Sequence, residues 1–563
     1  MSPGLLDGSN IIWGGSEGEE PVILRLFEAI GHYERLGYEV IPVVRTRMFN
    51  RITRTKGKKE TGHKQLKRLR SEGKLRLAED DDKLVIAPAL TLRPARGTEF
   101  TILANYSDQD SDTAHQFLPV TGTLLPSASG QKIDSYEYMG APGFNTYDTQ
   151  SFALTLILEQ QLSDAFSFEA VGRYVDSQAD YRQAWIAFQG NGVPRIDADG
   201  NGIWTYYLAD NRSEQLAVDA RIRGEFTTGP ITHELLAGVQ AQDVFTDSDT
   251  AYVFNGGTLN VFDPQYQNVP SVEQIRQLQT NGPRNYVDTT GYYISDQMSW
   301  GALVANAGIR FDNVTNRVEN GATQKDDATS LSFGLLWRGP AGISPYVSYA
   351  ESFEPVVGID TITNEQLLPQ EGRQYEAGIK WQPTGVNALV TVSAFDIEVS
   401  NLPNPAALMG GNSQQEGKSK VRGAEFEANA LLGGLRIDAN ATYLDGEDPN
   451  GLPLTGIPDW QASLFALYNF QGALRGLSFG GGVRYVGGNE SNGISAIDNS
   501  LLTYRVDGHA VGDLSLGYDF DRFQFRVTAR NVTNEEYYVV CLVRGDCYPN
   551  EKRSINGSLT VKF

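Results

Sequence analysis

The sequence predicts an all-β transmembrane barrel, large, antiparallel and of outer-membrane type, preceded by a small α/β fragment. Three observations predict it. The C-terminal residues alternate, with Ile555, Gly557, Leu559, Val561 and Phe563 on one face of a strand and Asn556, Ser558, Thr560 and Lys562 on the other. A period of two that ends on an aromatic suits a strand with lipid on one side and a wet lumen on the other. The same pattern returns along most of the chain. It stops near residue 80, where the charge also changes.

Residues 1–81 read as the α/β fragment. A short strand ends in Asp7-Gly-Ser-Asn10, and Ile23, Leu26, Phe27, Ile30 and Tyr33 recur at helical spacing within a helix over Val22–Leu36. A second strand follows over Glu39–Val44. Met1–Asn10 has neither the basic start nor the apolar run of an export signal. Residues 1–80 carry a net charge of +4, while the whole chain carries -22, so the remainder is strongly acidic. Within Arg45–Arg76 there are 13 basic residues against Glu60 and Glu72. Such a tract suits phosphates or a plain solvated face. The acidic remainder argues against a nucleic-acid partner for the barrel.

From residue 82 the strands follow one another. Phe100, Ile102, Ala104 and Tyr106 share a face, as do Leu216, Val218, Ala220 and Ile222, then Leu303, Ala305, Ala307, Ile309 and Phe311. Leu435 to Tyr443, Leu477 to Tyr485, Leu514 to Tyr518 and Phe523 to Ala529 repeat the alternation. Runs of about ten residues with aromatics near their ends are the membrane-barrel pattern. A propeller would need repeats of about 40–50 residues, and none is visible. No apolar run approaches the roughly 20 residues of a membrane helix. A mean hydropathy of -0.33 is compatible, because every second barrel residue is polar. Long loops are expected within Ser107–Tyr147, Tyr174–Glu214 and Asp243–Asp288. Arg310, Asp312, Glu425 and Glu427 read as polar lumen wall.

An enzyme reading of the barrel finds little to stand on. There is no His-Glu-x-x-His, no P-loop, and five scattered histidines. Cys541 and Cys547 lie six apart between the last two strands. Their spacing matches no zinc site, and an even count in an exported loop points to a disulfide. Cytosolic residence would leave them reduced.

Leu5-Leu-Asp-Gly-Ser-Asn-Ile-Ile-Trp13 resembles the opening of PIN-like (NYN-type) ribonuclease domains. The resemblance implies that Asp7 helps hold a divalent metal, with Asn10 in the matching turn and Asp80-Asp-Asp82 as further carboxylates. It makes the alternative function a metal-dependent ribonuclease fused to a barrel remnant, and Asp7 its catalytic candidate.

The barrel carries a broader resemblance. Ile86-Ala-Pro-Ala-Leu-Thr-Leu-Arg-Pro94, Phe117-Leu-Pro-Val-Thr-Gly-Thr-Leu-Leu-Pro126, Tyr346-Val-Ser-Tyr-Ala-Glu-Ser-Phe-Glu-Pro355 and Arg373-Gln-Tyr-Glu-Ala-Gly-Ile-Lys380 resemble successive landmarks of TonB-dependent ferric-siderophore receptors. Val421-Arg-Gly-Ala-Glu-Phe-Glu427, Asn531-Val-Thr-Asn-Glu-Glu-Tyr-Tyr538 and the terminal strand do so too. The ferrichrome-type hydroxamate receptors are the most similar subgroup. The resemblance covers residues 82–563 and implies an outer-membrane location in a Gram-negative cell. It also implies a ferric siderophore as transported ligand, no cofactor, energy from the TonB-ExbB-ExbD system, and insertion into lipid by the barrel-assembly machinery.

The family's export signal, TonB-contacting segment and plug domain are not recognisable here. Ile86–Leu92 resembles a strand already some way into the family's barrel of about 22 strands, leaving roughly 16–18. The chain as given is therefore expected to be deficient in active transport. By resemblance, Phe117 matches an aromatic of the ligand pocket, with His115 two residues before it. Trp185, Tyr252, Phe254 and Tyr548 are further loop aromatics able to pack on a bulky iron chelate. Each reads equally well as a girdle or loop-packing residue. The iron arrives chelated, so no protein metal ligand is implied. In the family the loop between the last two strands is extracellular and holds a cysteine pair like Cys541 and Cys547.

Overall fold

The computed structural model describes residues 81–562, apart from 113–116, 136, 267–268, 322, 357–358, 361, 403–412 and 415–416. It also describes the backbone of three short strands before them, Gly4–Asp7, Val40–Arg45 and Arg76–Ala78, which pair in parallel as a separate sheet. Asp7 ends the first of these strands. The expected helix over Val22–Leu36 and most of the basic tract lie outside the described residues.

The rest is one antiparallel wall. Asp81–Ile86 and Ala89–Ala95 share a strand position, because both pair with Thr98–Ser111. From there each strand pairs with its next neighbour in the wall, through Thr146–Gln161, Phe166–Ile186, Asn201–Thr228 and Ile231–Val253. The ladder continues from Asn285–Trp300 to the terminal Ser554–Val561. Eighteen pairings join nineteen positions, one more than the top of the expected range.

The strand order is a ring that brings the terminal strand round to the first. The ladder has a seam there. Among the described residues no pairing register joins Ser554–Val561 to Asp81–Ile86 or Ala89–Ala95. An even number of antiparallel steps makes the two edge strands run the same way, so direct pairing between them would be parallel. Ile555 and Leu559 at this edge are 68% and 64% exposed.

Alternation sets which face meets lipid. Leu216, Val218 and Ile222 point outward, as do Leu514, Leu516 and Tyr518. Between Ile309 and Phe311, Arg310 points inward and donates to Asp312 and Gln240. Short turns close one rim. Gly229, at φ +60° in the turn to Ile231, and Gly433, at φ +63° before Leu435, take the left-handed backbone that tight hairpins demand.

The opposite rim departs from expectation. Tyr174–Glu214, expected as a loop, is mostly strand. Phe166–Ile186, Asn201–Thr228 and Ile231–Val253 have 21, 28 and 23 residues. At about 3.3 Å per residue the longest spans roughly 90 Å along its axis, far more than a lipid band of roughly 25 Å requires. The excess stands above the membrane. Polar residues such as Asp210, Asn211, Arg212 and Ser213 interrupt the apolar alternation here without ending the strand, because both neighbours continue the ladder.

Candidate functional site at the barrel mouth

The raised part of the three long strands has two differently used faces. On the outer face Trp204, Tyr206 and Leu208 are buried against residues of the connecting segments, among them Leu118, Ile133, Met139, Phe144, Leu259 and Ile275. The Trp204 indole donates to the Met139 carbonyl at 2.9 Å. The connections therefore fold over the outside of the strands and leave the inner face to the mouth.

That inner face is aromatic. Tyr207 lies directly across from Tyr252, and Tyr147 across from Tyr181. Ring centroids are 5.7 Å apart for Tyr147–Tyr181, 5.8 Å for Tyr181–Tyr207 and 5.8 Å for Tyr207–Tyr252. Trp185 joins Tyr207 at 6.1 Å and Tyr252 at 5.8 Å, and Phe254 lies 4.1 Å from Tyr252. Phe117 extends the chain, 5.7 Å from Trp185, 5.4 Å from Phe188 and 6.0 Å from Tyr548. Nine rings from six parts of the chain thus form one crown. Tilted and edge-on contacts of this kind are favourable for aromatic pairs. Beneath it lies a hollow of about 570 Å³ lined by Tyr147, Thr149, Ser151, Ser213 and Ser248 among others.

A small sheet holds one side of the crown. Tyr538–Leu542 pairs with Asp546–Pro549, which pairs in turn with Leu118–Pro119. Cys541 and Cys547 face each other in this hairpin and their sulfurs are bonded. The sheet ties the last long connection to the first, so it bridges the seam above the level where the wall ladder stops. Val120 donates to the Gly545 carbonyl at 2.9 Å and Gly192 to that of Val543 at 3.2 Å. Phe117 and Tyr548 are thus set by the same three strands.

Two cations sit within it. Arg195 is 4% exposed, and donates through Nε to Ala187 O at 3.0 Å and through Nη1 to Gly545 O at 3.3 Å. Burial pulls its guanidinium down to about 10. Arg544 makes a forked pair with Asp546, at 2.9 and 3.1 Å, and also donates to the Tyr548 hydroxyl. Burial pushes that hydroxyl up from its ordinary value. Among the described residues no group of three or more His, Cys, Asp or Glu is placed to hold a metal ion.

Of the expected site residues, Phe117, Trp185, Tyr252, Phe254 and Tyr548 all lie in the crown. His115 lies outside the described residues. Tyr147, Tyr181, Phe188, Tyr207, Arg195 and Arg544 were not anticipated. Strand parity offered one signal, since Tyr181 and Trp185 share a face. Nothing local marked Arg195, whose partner Gly545 is 350 residues away.

The family model described as TonB dependent receptor-like, beta-barrel, matches residues 91–534. A ferrioxamine B receptor of Salmonella typhimurium is 26% identical over 501 residues, covering 86% of this chain and 68% of its own length. The ferrichrome outer membrane transporter/phage receptor of Escherichia coli is 26% identical over 524 residues with the same coverage. Among solved structures, the ferric-catecholate import receptor Fiu of Escherichia coli matches with a TM-score of 0.72 at 19% identity, covering 86% of this chain and 75% of its own. The ferripyoverdine receptor of the Pseudomonas aeruginosa outer membrane matches with a TM-score of 0.72 at 19% identity, covering 86% and 65%. This chain thus spans about two thirds of the length of several of these relatives. No helix among the described residues is long and apolar enough to cross a membrane, and the crossing is made by strands. Wall, mouth and family match agree: the chain belongs to the TonB-dependent receptors of the outer membrane, a family of receptors rather than enzymes.

Proposed function

We propose that the crown binds a ferric siderophore of hydroxamate, ferrichrome-like type, and that the barrel is the receptor part of an import driven with energy from the TonB-ExbB-ExbD system. The residues of this chain are expected to bind the ligand but not to complete its active transport. The crown of nine rings over a polar hollow, whose lining includes Arg212 and Asp247, carries this reading. A ferric hydroxamate is a bulky, amide-rich chelate whose iron is already saturated. Aromatic faces pack on its apolar ribs without competing for the metal, and tyrosine hydroxyls orient it. Relatives whose names specify ferrioxamine and ferrichrome support the ligand class. Lipid and the barrel-assembly machinery are the partners that a membrane barrel implies.

The test is fluorescence titration of the full chain, folded in detergent, with ferrichrome and with ferrioxamine B. Saturable quenching by either is expected, weakened by Phe117→Ala. Absence of saturable quenching by both would sink the proposal. The ribonuclease alternative depends on residues 8–39 and 46–75, which lie outside the described residues, and no observation favours it.

A further inference from the structure

We infer that the crown selects ferric chelates by charge, favouring those with a net negative charge, because Arg195 and Arg544 place two cations directly behind its aromatic wall against one carboxylate, Asp546, among the described residues. This rests on the siderophore reading above and narrows it.

Two guanidinium groups lie against the Phe188 ring, with Arg195 Cζ 4.5 Å and Arg544 Cζ 4.7 Å from its centroid. Asp546 is fully buried and spends both carboxylate oxygens on Arg544. Two cations thus share one anion. Arg195 bonds two backbone carbonyls, which satisfy N–H groups but carry no charge. Its Nη2 is buried with no hydrogen-bond partner among the described residues. Asp197, on the same connection, is occupied by the backbone N–H groups of Asp199 and Asn201.

Holding an unpaired charge out of water is expensive, and a neutral side chain would pack there at lower cost. The cost is offset if a ligand brings the missing negative charge. Arg195 Cζ is 6.0 Å from the Phe117 centroid, so a chelate seated on the crown beside that ring lies within about 10 Å of the cation. At an effective dielectric constant of about 20, one unit of ligand charge at that distance changes affinity by a factor of about ten. The acidic remainder of the barrel works against anions at long range. Screening confines that effect to roughly 8 Å at physiological salt, whereas the buried cation is screened far less.

The probes are three chelates with one ferric trihydroxamate core: ferrioxamine B with its free ammonium, its N-acetyl derivative and its N-succinyl derivative. They differ by one unit of charge at each step. Titrated against the full chain in detergent at physiological salt, the succinyl form should bind tightest and ferrioxamine B weakest, with about tenfold per step. Arg195→Met should compress the spread to within about threefold, and Arg195→Lys should largely preserve it. Equal affinities in the unchanged protein would overturn the inference. So would an Arg195→Met variant that weakens all three equally, since that is what a merely structural clamp would do. If Arg195→Met fails to fold, Arg544→Gln frees Asp546 to neutralise Arg195 and should also compress the spread. An unchanged spread there overturns the inference as well. Binding of none of the three overturns the siderophore reading itself, a result distinct from equal binding.

Discussion

The wall at lipid level and the mouth above it are made from the same strands, yet they solve different problems. In the wall each residue answers to one neighbour on each side and to lipid or lumen, so a two-residue period is enough. Leu216, Val218, Ala220 and Ile222 repeat one choice. In the mouth the lipid constraint is gone. Residues such as Tyr207 and Tyr252 are placed by the ladder, but Phe117, Phe188 and Tyr548 are placed by connections that cross from one end of the sequence to the other. The wall is a rule repeated, and the mouth is a set of particular contacts. Mutations should therefore act globally on the wall and locally on the mouth.

The largest effect is expected where the wall's rule is broken. Ile222 is 44% exposed on the outer face, between Phe168 and Ala237 of the adjacent strands. Ile222→Arg places a charge in the hydrocarbon and should cost about 2–4 kcal/mol of folding stability. Arg221→Gln, one residue away but facing the lumen and paired with Glu169, should cost about 1 kcal/mol or less. Urea unfolding in lipid vesicles separates the two. Equal losses would mean that the faces have been assigned wrongly.

In the mouth, Phe117→Ala should leave wall stability unchanged and weaken ligand binding about 10- to 30-fold, as expected for a buried aromatic that contacts both ligand and neighbouring rings. A loss of barrel stability instead would show that Phe117 is a packing residue.

This division also explains what was legible in the sequence. The wall and the strand-rich class were readable because both follow from local pattern. The extent of the strands was misread at Tyr174–Glu214 because, above lipid, a strand no longer needs an apolar face. Five aromatics of the crown were reachable as loop aromatics, the reading of Phe117 resting on family resemblance. Arg195 was not, because its role comes from Gly545 and Phe188 and from a carboxylate already spent on Arg544. Phe188 is near it in sequence, but Gly545 and Asp546 are about 350 residues away.

The disulfide hairpin offers a third, smaller test. Cys541 and Cys547 close a short loop in the sheet that bridges the seam, and chain-entropy arguments give such a closure about 2 kcal/mol. The double substitution Cys541→Ser, Cys547→Ser should open the 531–553 and 112–145 connections to protease while the strands stay protected. Siderophore affinity should fall through Phe117 and Tyr548. Unfolding of the whole barrel on reduction would mean that the hairpin holds the wall together as well as the mouth.

The smallest effect belongs to a second, remote part of the rim and depends on pH. Asp360 accepts hydrogen bonds from the backbone N–H groups of Thr363 at 3.0 Å, Gln414 at 2.9 Å and Ile362 at 2.8 Å, and from the Ser413 hydroxyl at 2.9 Å. These bonds, the one from Thr363 foremost, hold its carboxyl well below the ordinary range. They also tie the connection after Glu354 to the one after Ser400. With the folded value below the unfolded one, the stabilisation is complete above the ordinary carboxylate value of about 4 and is lost as pH falls from there toward the folded value. Hydrogen exchange in residues 359–369, corrected for intrinsic rates, should therefore be slow at neutral pH and rise near pH 3. Asp360→Asn, which has one acceptor oxygen and sets an N–H against its donors, should show the faster exchange already at neutral pH. The crown should be indifferent to both changes, because this clamp and the Arg195 cluster share no residue. An effect of Asp360→Asn on ligand affinity would show that the rim moves as one body, and would erase the local character assigned to the mouth.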